Sequence, residues 1–187
     1  MDVARDLLGR LVVREVDGEL VVGRIVETEA YVGPTDLASH ARAGLTRRTA
    51  PMYGPVGHAY VYLVYGMHEC MNVVARENSA VAGAALLRAL EPVAGIESMR
   101  TRRGRPADPD SRLHSGPARL TQALAIDRQM DGHDLTSAVE LWLSAGEGLR
   151  RTESVASGPR IGVDYAGEDW AGRPYRFWLV GNKSVSR

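Results

Sequence analysis

Residues 24–40 read Arg-Ile-Val-Glu-Thr-Glu-Ala-Tyr-Val-Gly-Pro-Thr-Asp-Leu-Ala-Ser-His. The run up to Tyr31 predicts a strand, and alternation sets Ile25, Glu27, Glu29 and Tyr31 on one of its faces. Gly33-Pro34 stops the strand, and a short polar stretch leads to His40. Two carboxylates, a tyrosine and a histidine within so few residues make a chemically dense segment. The same residues also fit an edge strand whose two glutamates face water, since unpaired carboxylates are almost never buried.

Upstream, residues 3 to 9 read as the tail of a helix closed by Gly9. Leu11 to Glu15 and Glu19 to Tyr31 read as two strands joined by an Asp17-Gly18 turn. Downstream, residues 41 to 57 carry Arg42, Arg47 and Arg48 among Gly, Thr, Ala and Pro, an irregular basic loop. His58 to Ala75 then predicts a second hairpin. Ala59 to Tyr65 enters, Gly66-Met67-His68 turns, and Cys70 to Val74 returns. Tyr60 and Tyr62 share a face. Tyr65 falls at the tip, where a large aromatic has no core to fill.

Ala84 to Leu90 predicts a third, buried strand ended by Glu91-Pro92, with Arg88 on the face of Leu86 and Leu90. A charge in such a strand needs a partner or a task, and a structural ion pair meets that need as well as a catalytic role does. A helix over 95–103, a Pro/Asp-rich loop at 106–110 and a helix over 118–126, opened by Ser115-Gly116-Pro117, come next. Strands are expected at 139–143, 160–164 and 173–180. With no internal repeat and no linker, residues 1–187 read as one α+β domain.

The composition is that of an ordinary globular protein, with 44% hydrophobic and 25% charged residues and a formal net charge of zero. No apolar run of about 18 residues is present, so no membrane span is expected. No secretory signal is visible, and the single cysteine, Cys70, suits a reduced, cytoplasmic setting. Lys183 is the sole lysine, so every other basic side chain of this type is an arginine. Arginine forks match phosphates and base edges, although a coding bias toward arginine produces the same count. Schiff-base chemistry has one candidate at most.

The five histidines (40, 58, 68, 114, 133) are scattered and no cluster has metal-ligand spacing. Phosphate-loop, dinucleotide and nucleophile-elbow motifs are missing. What remains is carboxylates, a strand-borne arginine, tyrosines and a histidine, a set suited to acid–base activation of water in an aromatic pocket.

Five segments, in order, resemble the alkyladenine (3-methyladenine) DNA glycosylases of the mammalian alkylpurine type. They are Glu27-Thr28-Glu29-Ala30-Tyr31 with His40; Tyr60-Val61-Tyr62-Leu63-Val64-Tyr65-Gly66-Met67 with Asn72; Leu86-Leu87-Arg88-Ala89-Leu90-Glu91-Pro92; Ser115-Gly116-Pro117; and Gln122-Ala123-Leu124. The likeness runs from about Ala4 to Ser186. It implies a curved, mostly antiparallel sheet flanked by helices, with a protruding hairpin that enters the minor groove of double-stranded DNA. The implied reaction is excision of damaged purines by a monomer without cofactor or metal, and without strand cleavage.

On that resemblance Glu29 is the general base and Arg88 holds the attacking water. Tyr31, His40, Tyr62, Asn72 and Leu86 line the base pocket, with the flipped base stacked between the tyrosines and His40 on its other side or edge. Tyr65 is the wedge, while Met67, His68, Arg48 and Arg119 contact DNA. The backbone carbonyl near Ile161 also touches the water. Glu27 keeps its reading as a solvated control position, with only a mild effect expected of Glu27→Gln. The chain departs from the pattern at Arg47-Arg48-Thr49-Ala50-Pro51-Met52-Tyr53, at His68 where relatives often carry a larger aromatic, and in a longer 75–83 segment. Two other classes fit parts of the same pattern. A non-catalytic nucleic-acid-binding module would have no use for Glu29 or Arg88, and a hydrolase of free nucleosides would not need Tyr65.

Overall fold

The computed structural model describes residues 1–186. Its strands are β1 (Leu11–Val16), β2 (Glu19–Tyr31), β3 (Ala59–Val64), β4 (His68–Val74), β5 (Ala84–Ala94), β6 (Leu141–Ser144), β7 (Val155–Gly158) and β8 (Arg176–Leu179). They form one open, antiparallel, eight-stranded sheet in the order β3-β4-β5-β2-β1-β6, with β8 pairing both β2 and β7. The fold is α+β, as expected. Among the described residues no helix is long and apolar enough to cross a membrane.

The sheet is built on β2, which at thirteen residues outlasts any single neighbour. One edge pairs with β5 from Val22 to Tyr31. The other edge pairs with β1 over Glu19–Arg24 and then with β8 over Glu27–Glu29. The two glutamates therefore lie mid-sheet, and the edge-strand reading of residues 24–40 is overturned. Register shifts on both sides of Glu27 interrupt its ladder with β5. Such bulges bend a strand and re-aim its side chains.

One face of the sheet carries the main core. Ile25, Val26, Met71, Val73, Leu87 and Leu90 pack there with Met99, Leu113 and Leu120 from the helices Ile96–Arg103, Asp110–Leu113 and Pro117–Ala123, and with Leu124 just after the last of them. Two smaller clusters cover parts of the opposite face. Ala41, Met52, Tyr60, Val74 and Ala84 form one, and Ala38, Val163 and Ala166 form the other, with Tyr31 packed against it.

Several boundaries differ from expectation. The basic loop contains a 3-10 turn, His40–Ala43, and a helical turn, Ala50–Tyr53. Strand β5 runs past Glu91-Pro92 to Ala94, because Pro92 sits opposite Gly23 at a register shift, where its missing N–H interrupts no regular ladder. Gly23 itself is required by close approach, since a Cβ there would lie 2.7 Å from the Leu90 side chain. The strand expected at 160–164 is not formed. The strand of that region is β7, which ends at Gly158, and Gly162 at φ +74° turns the chain into the 3-10 segment Asp164–Ala166.

His114 lies completely buried beneath this sheet, and neither ring nitrogen has a hydrogen-bond partner among the described residues. Burial first, and Arg103 second, push its pKa down to about 3. An unfolded histidine titrates near 6.5, so between these values the unfolded chain binds the extra proton. Stability is therefore present above about pH 6.5 and lost as pH falls toward 3, on the order of 3 kcal/mol between pH 7 and pH 4. Urea midpoints at the two pH values should record this loss, and His114→Leu should shrink it. An unchanged acid sensitivity in that variant would assign the loss to other groups.

Candidate active site

Residues directly opposed in an antiparallel ladder share a face. The pairings Tyr60↔Asn72, Asn72↔Leu86 and Glu29↔Leu86 thus align Tyr60, Asn72, Leu86 and Glu29 across four neighbouring strands. Two residues further along β2 and β3, Tyr31 and Tyr62 return to the same face. The two small clusters flank this row and exclude solvent from its floor, where Asn72 and Leu86 are buried.

Glu29 has no exposed surface, yet each carboxylate oxygen is occupied. Oε1 accepts the Ile161 N–H at 2.8 Å and lies 3.2 Å from Arg88 Nη1, and Oε2 accepts the Tyr31 hydroxyl at 2.9 Å. Burial raises the Glu29 pKa, while Arg88, the Ile161 N–H and the Tyr31 hydroxyl pull it back, and Glu27 adds to the rise. The result is a carboxylate held in place by donors but kept more basic than a surface one. Ile161 thus meets Glu29 directly through its backbone N–H.

Glu27 departs most from its expected role. It is as buried as Glu29, with Oε1 3.2 Å from Arg88 Nε and 3.1 Å from Arg176 Nη1, and Oε2 accepting the Ser186 N–H at 2.7 Å. Arg88 therefore bridges both glutamates. Its other neighbour is the Ser186 hydroxyl, at 3.5 Å. The ion pair offered for this arginine from sequence is thus formed, and with two carboxylates.

The aromatic wall is assembled from β3 and the His40 turn. His40 Nδ1 lies 3.0 Å from the Tyr60 hydroxyl, and the His40 and Tyr62 rings meet edge-on with centroids 4.6 Å apart. His40 and Tyr62 thus stand on one wall, whereas Tyr31 belongs to the other small cluster. Burial, with Arg48 nearby, lowers the His40 pKa to about 4, so its ring is neutral at pH 7. Asn72 spends an amide N–H on the Tyr60 carbonyl at 3.0 Å, which fixes its orientation.

Beyond the pocket the hairpin projects into solvent. Tyr65 is 90% and Met67 71% exposed, and His68 is exposed beside them. Tyr65 and Gly66 have φ of +53° and +70°. A tyrosine in the left-handed region is strained, and strain at an exposed aromatic tip points to function. A groove next to β3 is lined by Arg47, Arg48, Tyr62 and Arg128, with the Arg48 guanidinium 5.4 Å from the Tyr62 ring. A second groove, lined by Arg88, Arg112, Arg119 and Lys183, reaches the same arginine that holds Glu29.

Sequence reasoning missed Arg176, Ser186 and the buried Asp36–Arg160 pair. Arg176 had a readable signal, being an arginine within an apolar strand run, as Arg88 is. Nothing local marks the other three.

A buried carboxylate held by arginine and backbone, on a sheet face walled by aromatics, is the equipment of an acid–base hydrolase. Residues 1–183 match the family model described as methylpurine-DNA glycosylase (MPG), and the chain belongs to that family. It is accordingly a DNA N-glycosylase, an enzyme of base-excision repair. The chain is 50% identical over 185 residues to a protein of Carboxydothermus hydrogenoformans, covering 99% of this chain and 92% of that one. It is 44% identical over 191 residues to a Methanocella arvoryzae protein (100% and 90% covered), and 48% over 185 residues to one of Myxococcus xanthus (99% and 87%). All three relatives carry the provisional name 3-methyladenine DNA glycosylase.

Proposed function

We propose that this chain excises methylated purines such as 3-methyladenine and 7-methylguanine from duplex DNA, with Glu29 as the general base. The observation that carries this reading is Glu29 itself, a buried carboxylate with raised basicity whose orientation is fixed by Arg88, Ile161 and Tyr31. Glu29 takes a proton from a water held by Arg88 as that water's oxygen bonds to C1′ of the sugar. The bond from C1′ to the purine nitrogen breaks, and its electron pair leaves with the base. The products are free purine and an abasic site. Water is the nucleophile, so no Schiff base forms and the strand stays intact.

The glycosidic bond is out of reach inside the stack, so the nucleotide must be flipped. Tyr65 is the residue suited to fill the gap from the minor groove, because it is exposed, aromatic and at the tip. Met67 and His68 flank it, while Arg48 and Arg119 stand in the two basic grooves that suit backbone phosphates. A methylated purine carries positive charge, which favours stacking on Tyr31 and Tyr62, and it is a good leaving group. Buried Asn72, with its amide direction set by Tyr60, is positioned to penalise the exocyclic amine of normal guanine.

The test is a single-turnover panel of duplexes carrying 7-methylguanine, 3-methyladenine, hypoxanthine or ethenoadenine. Release of the cationic bases is expected, leaving alkali-labile sites. If excess enzyme frees no base from any of them, the chain is a binding module and the catalytic reading fails. Tyr65→Ser should slow excision from duplex at least about tenfold while leaving single-stranded substrate little changed, since flipping alone needs the wedge. Equal slowing on both substrates would remove the wedge role.

A further inference from the structure

Behind Tyr31 lies an ion pair that the mechanism above does not use. The Asp36 and Arg160 side chains are both inaccessible to solvent and meet in a two-pronged contact, Nη1 to Oδ2 at 2.6 Å and Nη2 to Oδ1 at 2.9 Å. The other N–H groups of the two terminal nitrogens are also tied, while Nε has no partner among the described residues. Arg160 donates to the carbonyls of Ala30 at 2.9 Å and Trp170 at 3.3 Å, and Asp36 accepts the N–H groups of Val32 at 3.2 Å and Ala38 at 3.0 Å. The guanidinium carbon sits 4.7 Å from the centre of the Tyr31 ring and 5.2 Å from that of Tyr175. Tyr31 is half-buried and has no aromatic partner among the described residues, so one side of its ring is backed by a cation and no other ring occupies the opposite side.

That arrangement bears on which base can stack there. A cation is drawn to a tyrosine face by the ring's own charge distribution, and a full positive charge fixed behind the same ring opposes it. A stacked base would stand about 8 Å from the guanidinium. At that separation Coulomb's law with an effective dielectric of about 20 amounts to tenfold or more in affinity. The Asp36 carboxylate, in direct contact with the fork, is the strongest anion acting against that field, with Glu29 acting from further away.

We infer that Asp36 is a specificity-determining residue: by neutralising Arg160 behind Tyr31, it lets the pocket accept positively charged purines alongside neutral ones. This rests on the proposed reading that the flipped base stacks on Tyr31. A clamp with a purely mechanical role would join the turn at residues 32–38 to the segment after Arg160, and its loss would harm every base alike. Stability alone does not account for the pair, because buried ion pairs exchanged for apolar groups are often neutral or stabilising.

Two duplex probes of the same outline separate these roles. One carries 7-methylguanine on a 2′-fluorinated sugar, which slows departure of the base. The other carries 7-methyl-7-deazaguanine, its neutral isostere. Fluorescence anisotropy gives the affinity ratio of charged to neutral probe, with undamaged duplex as the baseline. Asp36→Asn should lower that ratio about tenfold, and Asp36→Asn/Arg160→Gln, which removes both charges, should return it to within about threefold of the wild type. Equal losses on both probes in Asp36→Asn would overturn the inference. If that variant does not fold, Arg160→Gln, which leaves the Asp36 carboxylate uncompensated, decides: the ratio should rise about tenfold, and a ratio within about threefold of the wild type overturns the inference. If the wild-type protein prefers neither probe over undamaged duplex, the stacking reading itself fails, and the inference with it.

Discussion

Glu29→Gln is expected to slow single-turnover excision of 7-methylguanine by about 10³-fold while keeping affinity for the damaged duplex within about threefold. The amide preserves the outline of the side chain and keeps an oxygen for the Ile161 N–H, now 2.8 Å from Oε1. Arg88 keeps its second anion, Glu27, 3.2 Å from Nε. What the variant loses is the ability to take a proton from water. The wild-type rate should also fall with acid, because the base form is required and burial holds the Glu29 pKa above its ordinary value. The variant's residual rate should lack that limb. Excision near the wild-type level in Glu29→Gln would transfer the role of base to another group.

The second large effect is on stability and falls on Glu27. Glu27→Ala should lower the unfolding free energy by about 3–5 kcal/mol, read from urea midpoints, because it strands buried cationic partners. Arg88 Nε and Arg176 Nη1 both converge on Oε1, and the Ser186 N–H on Oε2. Removing the carboxylate leaves Arg88 to lean wholly on Glu29, so excision should decline as well, through displacement and not through lost proton transfer. Glu27→Gln keeps an acceptor and should cost less than Ala, but more than the mild change expected of a solvated position. A midpoint for Glu27→Ala within about 1 kcal/mol of the wild type would mean that the two arginines find other partners.

The contrast between Glu27 and Glu29 defines how far the residues themselves could be read. Both stand in one strand, two positions apart, with the same chemistry and the same alternation. Burial does not distinguish them either, since neither has exposed surface. They differ in what reaches them. Glu27 is met by two arginines and a backbone N–H from the chain's end, and Glu29 by one arginine, a tyrosine and the Ile161 N–H. The first set meets a carboxylate with two cations. The second leaves it raised in basicity beside the aromatic pocket.

Elements with strong local signals were legible. The Asp17-Gly18 turn, the strand to Tyr31 and the Tyr65 hairpin tip follow from dihedral preference and periodicity, and each is found where it was expected. Boundaries set by neighbours were not. Pro92 remains within β5 because its opposite is the bulge at Gly23, and 160–164 is no strand because Arg160 is committed to Asp36 and Gly162 turns the chain.

By itself, then, the sequence determined the α+β class, the hairpin with its exposed tyrosine, and a set of candidate site residues: Glu29, Arg88, Tyr31, His40 and Tyr62. Only the tertiary structure decided that β2 is central, that Glu27 is buried by ion pairs, and that a buried Asp36–Arg160 pair backs Tyr31. The physical reason is separation along the chain. Glu27 is met by partners 61, 149 and 159 residues away, and Asp36 by one 124 residues away. Local periodicity carries no information about which distant charge will arrive to make burial of a carboxylate tolerable.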